Sequence, residues 1–229
     1  MNRFNLLLGG VAIVGAGVLV YLVTGRKSVS IPANVTVVPA DTAGFRGYIV
    51  GSASAPIEVT EYADYQCPSC AGFEAVQYPD IKARLVDSGR IRWRYRDFPL
   101  DQHPHARVAA HAAACADEQG KFAEMKKSIY EGQGGWAPKA DASGDFRDMA
   151  TAAGLDVAQY DACMSSAKFA GRIEASRAEA MQVGVSSTPS VMVNGRLYPG
   201  GLRYDDLRAL VDSLAPAAAM ADSAAPATR

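Results

Sequence analysis

Apolar and polar residues first alternate at Ile57-Glu58-Val59-Thr60-Glu61-Tyr62, which predicts a strand with Ile57, Val59 and Glu61 on one face. That parity sets a carboxylate on an apolar side. Across residues 68–88 the spacing lengthens: Phe73, Val76, Tyr78, Ile81, Leu85 and Val86 recur at helical intervals, Pro79 makes an interior kink and Gly89 is a stop. Ile91, Trp93 and Tyr95 then alternate with Arg92, Arg94 and Arg96, a second strand with one apolar and one basic face. The arginines read as a solvated or salt-bridged face rather than an anion site.

Residues 105–183 carry several helical segments separated by Gly- or Pro-bearing turns. Ser190-Val191-Met192-Val193 and Leu197-Tyr198 flank Asn194-Gly195, a strong hairpin signal. A last helix over 204–214 begins with Asp205 and Asp206, which suit a helix N-terminus. The order strand, helix, strand, helical block, hairpin, helix predicts an α/β fold, a small mixed central sheet flanked by helices, with an inserted all-helical subdomain.

The two ends differ from this pattern. Residues 6–23 form an uncharged run between Arg3 and Arg26-Lys27. Eighteen residues at about 1.5 Å each span about 27 Å, so 1–27 are read as an uncleaved membrane anchor. The competing reading is a signal sequence cut near Val23-Thr24-Gly25, which would release the protein. Residues 28–44, with two prolines and no helical period, read as a linker. Residues 215–229 are low in complexity and read as a disordered tail. There remain 45–104 and 184–214 as one domain, interrupted by the helical subdomain at 105–183.

Charge narrows the partners: 23 Lys+Arg against 24 Asp+Glu gives a net charge of -1, which provides no basic field for nucleic-acid phosphates. Four cysteines are too few for a disulfide-scaffold mini-protein, but two of them form a Cys-x-x-Cys pair. Cys67-Pro68-Ser69-Cys70 sits where the first strand gives way to the first helix. Unpaired amides and the positive end of the helix dipole favour a thiolate at Cys67, and Pro68 suits the first helical position because its missing N–H costs nothing there. Cys70, three residues on, lies within disulfide reach. Glu61 is the candidate to exchange a proton with Cys70.

A structural zinc site would need two more ligands, and no second Cys-x-x-Cys or His-x3-5-His exists, so no metal and no cofactor are expected. His103, His105 and His111 read as loop and Ala-rich helix residues rather than ligands. Cys115 and Cys163 fall on two helices of the insertion; in an oxidising compartment they are expected to pair as a structural disulfide, with two buried free thiols as the alternative.

Three stretches then carry a resemblance: residues 61–70, EYADYQCPSC; residues 96–100, RDFPL; and Ser187-Thr188-Pro189-Ser190 before the hairpin. In this order and spacing they resemble the DsbA-like branch of the thioredoxin superfamily, and the chain looks like a membrane-tethered member. The resemblance covers about 47–214. It implies a thioredoxin-like fold with an inserted helical domain, held outside the cytoplasm, which oxidises thiols of exported proteins through a mixed disulfide. It maps Cys67 to the attacking cysteine, Cys70 to the buried one, Glu61 to the acid beneath them and Pro189 to a cis-proline facing the pair.

Thr188 would then offer backbone groups to an extended substrate strand. Ser69 stands where several members have His, and a hydroxyl holds a thiolate less well than an imidazolium. The implied partners are reduced exported proteins and a quinone-linked membrane reoxidase of DsbB or VKOR type, with the chain itself a monomer. A reductase or isomerase of the same compartment ranks second. An exported copper-binding or adaptor domain ranks third.

Overall fold

The computed structural model of the protein describes residues 28–222, with side chains described for 28–214. The expected anchor at 1–27 lies outside the described residues, and among those described no helix is long and apolar enough to cross a membrane. The elements are, in chain order, α1 (Pro39–Thr42), β1 (Tyr48–Val50), β2 (Ile57–Ala63), α2 (Pro68–Val76), α3 (Tyr78–Ile81) with a widened turn at Lys82–Val86, and β3 (Ile91–Asp97). Then follow α4 (Ala106–Asp117), α5 (Phe122–Glu131), α6 (Gln133–Trp136), α7 (Ser143–Ala152), α8 (Val157–Ser165), α9 (Ala170–Gln182), β4 (Ser190–Val193), β5 (Arg196–Pro199) and α10 (Tyr204–Asp222).

The strands form one five-stranded sheet in the order β1-β3-β2-β4-β5. β2 and β3 are parallel, with Val59 opposite Trp93 and Glu61 opposite Tyr95, and every other pairing is antiparallel. The turn between β4 and β5 has Asn194 at φ 49 and Gly195 at φ 78, the two left-handed positions a tight hairpin requires. This is a thioredoxin-like α/β fold with a helical insertion.

Alternation on the central strands decides what each face meets. Val59, Ile91, Trp93, Val191 and Val193 pack beneath Phe73, Tyr78, Ile81, Leu85 and Val86, with Leu207 and Val211 from α10. On the other face the basic positions of β3 are paired: Arg92 with Glu58 at 2.8 Å, Arg94 with Glu179 at 3.1 Å, and Arg96 also with Glu179. Glu179 belongs to α9, so these ion pairs fasten the end of the helical block to the sheet.

Inside the block, buried Ala109, Ala112, Ala113 and Ala116 of α4 let neighbouring helices come close, and Met125, Ile129, Trp136, Phe146 and Ile173 fill the space between them. Cys115 and Cys163 are disulfide-bonded, S–S 2.01 Å, tying α4 to α8. The block meets the sheet through aromatic rings: Tyr48 stacks on Phe122 with centroids 3.8 Å apart, and the Tyr95 and Tyr130 hydroxyls are 2.8 Å apart.

The structure adds detail at the edges. Within residues 28–44, Ile31 is buried and Val29 and Val35 pack on the helical block. The Val29 N–H donates to the Ser143 hydroxyl at 3.0 Å, which ties the start of the segment to a partner far away in sequence, while Val37 and Val38 stay exposed. Strand β1 adds an element that three residues are too short to announce by period. α10 runs to Asp222, eight residues into the segment expected to be disordered, and the alanines there have the highest helix propensity.

The disulfide closes a loop of 48 residues, for which loop entropy gives about 4 kcal/mol as an upper figure. A Cys115→Ala, Cys163→Ala double variant is therefore expected to lose several degrees of thermal midpoint by calorimetry. Unchanged melting would place the block's stability in its packing alone.

Candidate active site

Cys67 is the N-cap residue of α2, with φ -72 and ψ 121, and Pro68 occupies the first turn. The strand ends at Ala63, and the chain then turns through Asp64, whose carbonyl accepts the Cys67 N–H at 3.1 Å. Asp64 is itself anchored, since its carboxylate accepts the Gln66 N–H at 2.7 Å and the Leu100 N–H at 2.8 Å, and lies 2.8 Å from His103 Nδ1. The redox loop is thus pinned to the loop after β3 before the helix begins.

The two sulfurs differ sharply. Cys67 is 7% exposed and Cys70 is fully buried, both as free thiols. A hydrogen bond from the Cys70 thiol, with further ones from the Cys70 and Ser69 amides, holds the Cys67 pKa down at about 5 against the opposing effect of burial. Burial pushes the Cys70 thiol well above its ordinary value, and the neighbouring Cys67 and Glu61 charges push the same way. One cysteine is prepared as a thiolate and the other is kept protonated.

Thr188 and Pro189 approach from the opposite side. The Thr188-Pro189 peptide bond is cis, and Cys67 Sγ lies 3.4 Å from the Thr188 carbonyl. Pro189 is backed by the Gly201 backbone, where a Cβ would stand 3.5 Å from the proline ring and 3.1 Å from Phe73. Ser69 is exposed, and its part in the site is its amide rather than its hydroxyl.

Glu61 is 1% exposed and accepts from Trp93 Nε1 at 3.0 Å. Burial lifts its pKa to about 7, opposed first by the Lys126 ammonium and then reinforced by the Glu74 carboxylate. Lys126 reaches in from α5, bonded to Glu74 at 2.7 Å and seated 4.0 Å over the Tyr78 ring. Trp93, Glu74 and Lys126 are site residues that sequence reasoning missed. Trp93 alone had a signal, the shared parity of two adjacent strands, whereas Lys126 reads in sequence as one more cation on a solvated helix face.

Cys115 and Cys163 lie apart from this group, in the helical block. His111, Cys115 and Cys163 have ligand atoms within 4.8 Å of one another. Both sulfurs are used by the disulfide and His111 Nε2 accepts the Phe169 N–H at 3.0 Å, so the cluster is packing, with burial keeping the imidazole neutral at a pKa of about 4.

A family model described as thioredoxin matches residues 46–213. The crystal structure of Wolbachia pipientis alpha-DsbA1 is similar with a TM-score of 0.68 and 21% identity, over 76% of this chain and 94% of that one. The Bacillus anthracis protein named probable disulfide bond formation protein D is 24% identical over 71% of this chain and 76% of its own length. The Na(+)/H(+) antiporter NhaA 3 of Salinispora tropica is 36% identical over 169 residues, 73% of this chain. The chain spans only 24% of that antiporter's length.

Two titrations follow from this geometry. Ultraviolet thiolate absorbance of the reduced protein is expected to rise with a midpoint near 5, and the Cys67→Ser variant is expected to lose that transition. An ordinary thiol midpoint of about 8.5 would remove the assignment. For Glu61 the folded pKa is raised from 4.5 to about 7, so its contribution to stability is full below 4.5 and falls as pH rises through 7. Glu61→Gln is therefore expected to melt later than the parent at pH 8.5, by on the order of 1–3 kcal/mol of stability, and to show a smaller gain at pH 4.5. An equal change at both pH values would mean that Glu61 ionises freely.

Proposed function

The chain belongs to the thioredoxin family, and from that premise we propose that it is an extracytoplasmic thiol:disulfide oxidoreductase that introduces disulfides into exported proteins. The observation that carries this is the asymmetry of the pair: a Cys67 thiolate stabilised at a helix N-terminus beside a buried, protonated Cys70. Stabilising the thiolate stabilises the reduced protein, so the oxidised form gives up its disulfide readily. A reductase would use the same cysteines, but so strongly favoured a thiolate would make its reduced form a poor electron donor. The name of the Bacillus anthracis relative agrees with an oxidant's role.

In the proposed reaction a substrate thiolate attacks Cys67 Sγ of the Cys67–Cys70 disulfide. The bond between the two sulfurs breaks, and Cys70 departs as a thiolate and takes a proton. Glu61, neutral up to about pH 7, is the group proposed to supply that proton and later to recover one. The second substrate thiolate attacks the substrate sulfur of the mixed disulfide, and Cys67 leaves as a thiolate. Two substrate thiols become one disulfide while Cys67 and Cys70 gain two electrons. Thr188 supports a substrate strand in this scheme, because its backbone borders Cys67 and its peptide bond with Pro189 turns that edge toward the sulfur.

A quinone-linked membrane reoxidase of DsbB or VKOR type would accept the two electrons and restore the disulfide. The Cys115–Cys163 disulfide supports a place outside the cytoplasm, where such bonds persist. Residues 1–27 are proposed to hold the protein at the membrane as a single anchor, with the catalytic domain on the outer side as a monomer. Cleavage near residue 25 would release it.

Trapping tests the assignment of roles. Cys70→Ser is expected to accumulate mixed disulfides with exported proteins on non-reducing gels, since its Cys67 thiolate still attacks substrate disulfides and no Cys70 thiol remains to attack Cys67 and release the adduct. Cys67→Ser is expected to accumulate none. Equal trapping by both variants would contradict the reading.

A further inference from the structure

Two glutamine side chains tie the redox loop to the helical block. Gln133, buried at the start of α6, donates through Nε2 to the Tyr65 carbonyl at 2.7 Å and to the Cys67 carbonyl at 3.1 Å. Gln66 lies between those two residues and extends its amide to other parts of the insertion. Its Oε1 accepts the His105 N–H at 2.6 Å, and its Nε2 donates to the Ala137 carbonyl at 3.3 Å. The three consecutive residues 65, 66 and 67 are therefore all bonded to the helical block, whereas the sulfur belongs to the thioredoxin-like domain.

We infer that Gln133 is a positioning residue for Cys67, and that through its paired hydrogen bonds the helical block sets how well the thiolate is stabilised. A carboxamide has two N–H donors on one nitrogen, and here both are spent on carbonyls two residues apart, which fixes the backbone between them. The Tyr65 carbonyl is in buried surroundings, where an acceptor without a partner is costly, so a loop lacking Gln133 would turn to find another donor. That turn moves Cys67 relative to the Ser69 and Cys70 amides that hold its charge. A lysine at 133 would bring an unpaired charge, and a glutamate would face two carbonyls with acceptors alone. Glutamine meets the requirement without adding charge.

The inference rests on Cys67 being the depressed thiol of the proposed function, and its test reads that thiol rather than turnover. Thiolate absorbance is titrated in the reduced parent, in Gln133→Leu, in Gln66→Met and in the Cys115→Ala, Cys163→Ala double variant, with thermal midpoints measured alongside. Gln133→Leu is expected to raise the Cys67 midpoint by roughly half to one pH unit, a three- to tenfold loss of thiolate stabilisation, and Gln66→Met is expected to raise it less. The double variant is expected to melt earlier with the midpoint unmoved, since its disulfide touches no part of the loop.

A folded Gln133→Leu with the parent's depressed midpoint would overturn the inference and leave the proposed function standing. A midpoint raised equally in the double variant would also overturn it, because any loosening of the block would then suffice. Should Gln133→Leu not fold, Gln133→Asn, whose shorter side chain takes the amide away from the Tyr65 and Cys67 carbonyls, decides by the same criterion. An ordinary midpoint in the parent would remove the functional reading and this inference together.

Discussion

A charged sulfur in a nearly closed site depends on hydrogen-bond donors fixed before the charge appears. Cys67 has them because the chain changes from strand to helix at that residue: the first amides of α2 have no partner inside the helix, and Pro68 takes the one position where a missing N–H is harmless. The Cys70 thiol, one turn further on, adds the largest single contribution. Asp64, which accepts from two backbone amides, holds the chain in the turn that presents Cys67 to the helix.

The same site keeps a second ionisable group out of water. Glu61 lies on the face of β2 that carries the apolar core, next to Trp93, and the cation that opposes its raised pKa, Lys126, comes from α5 of the insertion. The helical block thus contributes to the chemistry at two levels, a charge near the buried acid and amide bonds to the redox loop. Its own rigidity comes from alanine packing and the Cys115–Cys163 bond. Arg94 and Arg96, paired with Glu179, fasten it to the sheet.

Much of this framework could be read from the sequence because it is written in short-range pattern. Alternation at Ile57 to Tyr62 and at Ile91 to Tyr95, the Asn194-Gly195 turn and the Cys67-Pro68 junction each specify local geometry within a few residues. The features that escaped depend on partners distant in sequence. Gln133 lies in a glycine-bearing turn and meets carbonyls 66 and 68 residues away. Lys126 has an unremarkable neighbour in Lys127, and only tertiary packing places one over the Tyr78 ring and leaves the other in solvent. Residues 28–44 lack a period because irregular chain covering a helical surface needs none, yet Ile31 is buried there as fully as a core residue.

The central claim is that the Cys67 environment makes the disulfide form the high-energy partner of the couple. Its most direct measurement is the reduction potential of Cys67–Cys70, obtained by equilibrating the protein with glutathione buffers and following the oxidised fraction. About 30 mV corresponds to 1.4 kcal/mol for this two-electron exchange. With the thiolate held at a pKa of about 5, the potential is expected to be more positive than about -180 mV, in the range of protein oxidants. A value near -270 mV, that of a reductant of the thioredoxin kind, would contradict the account.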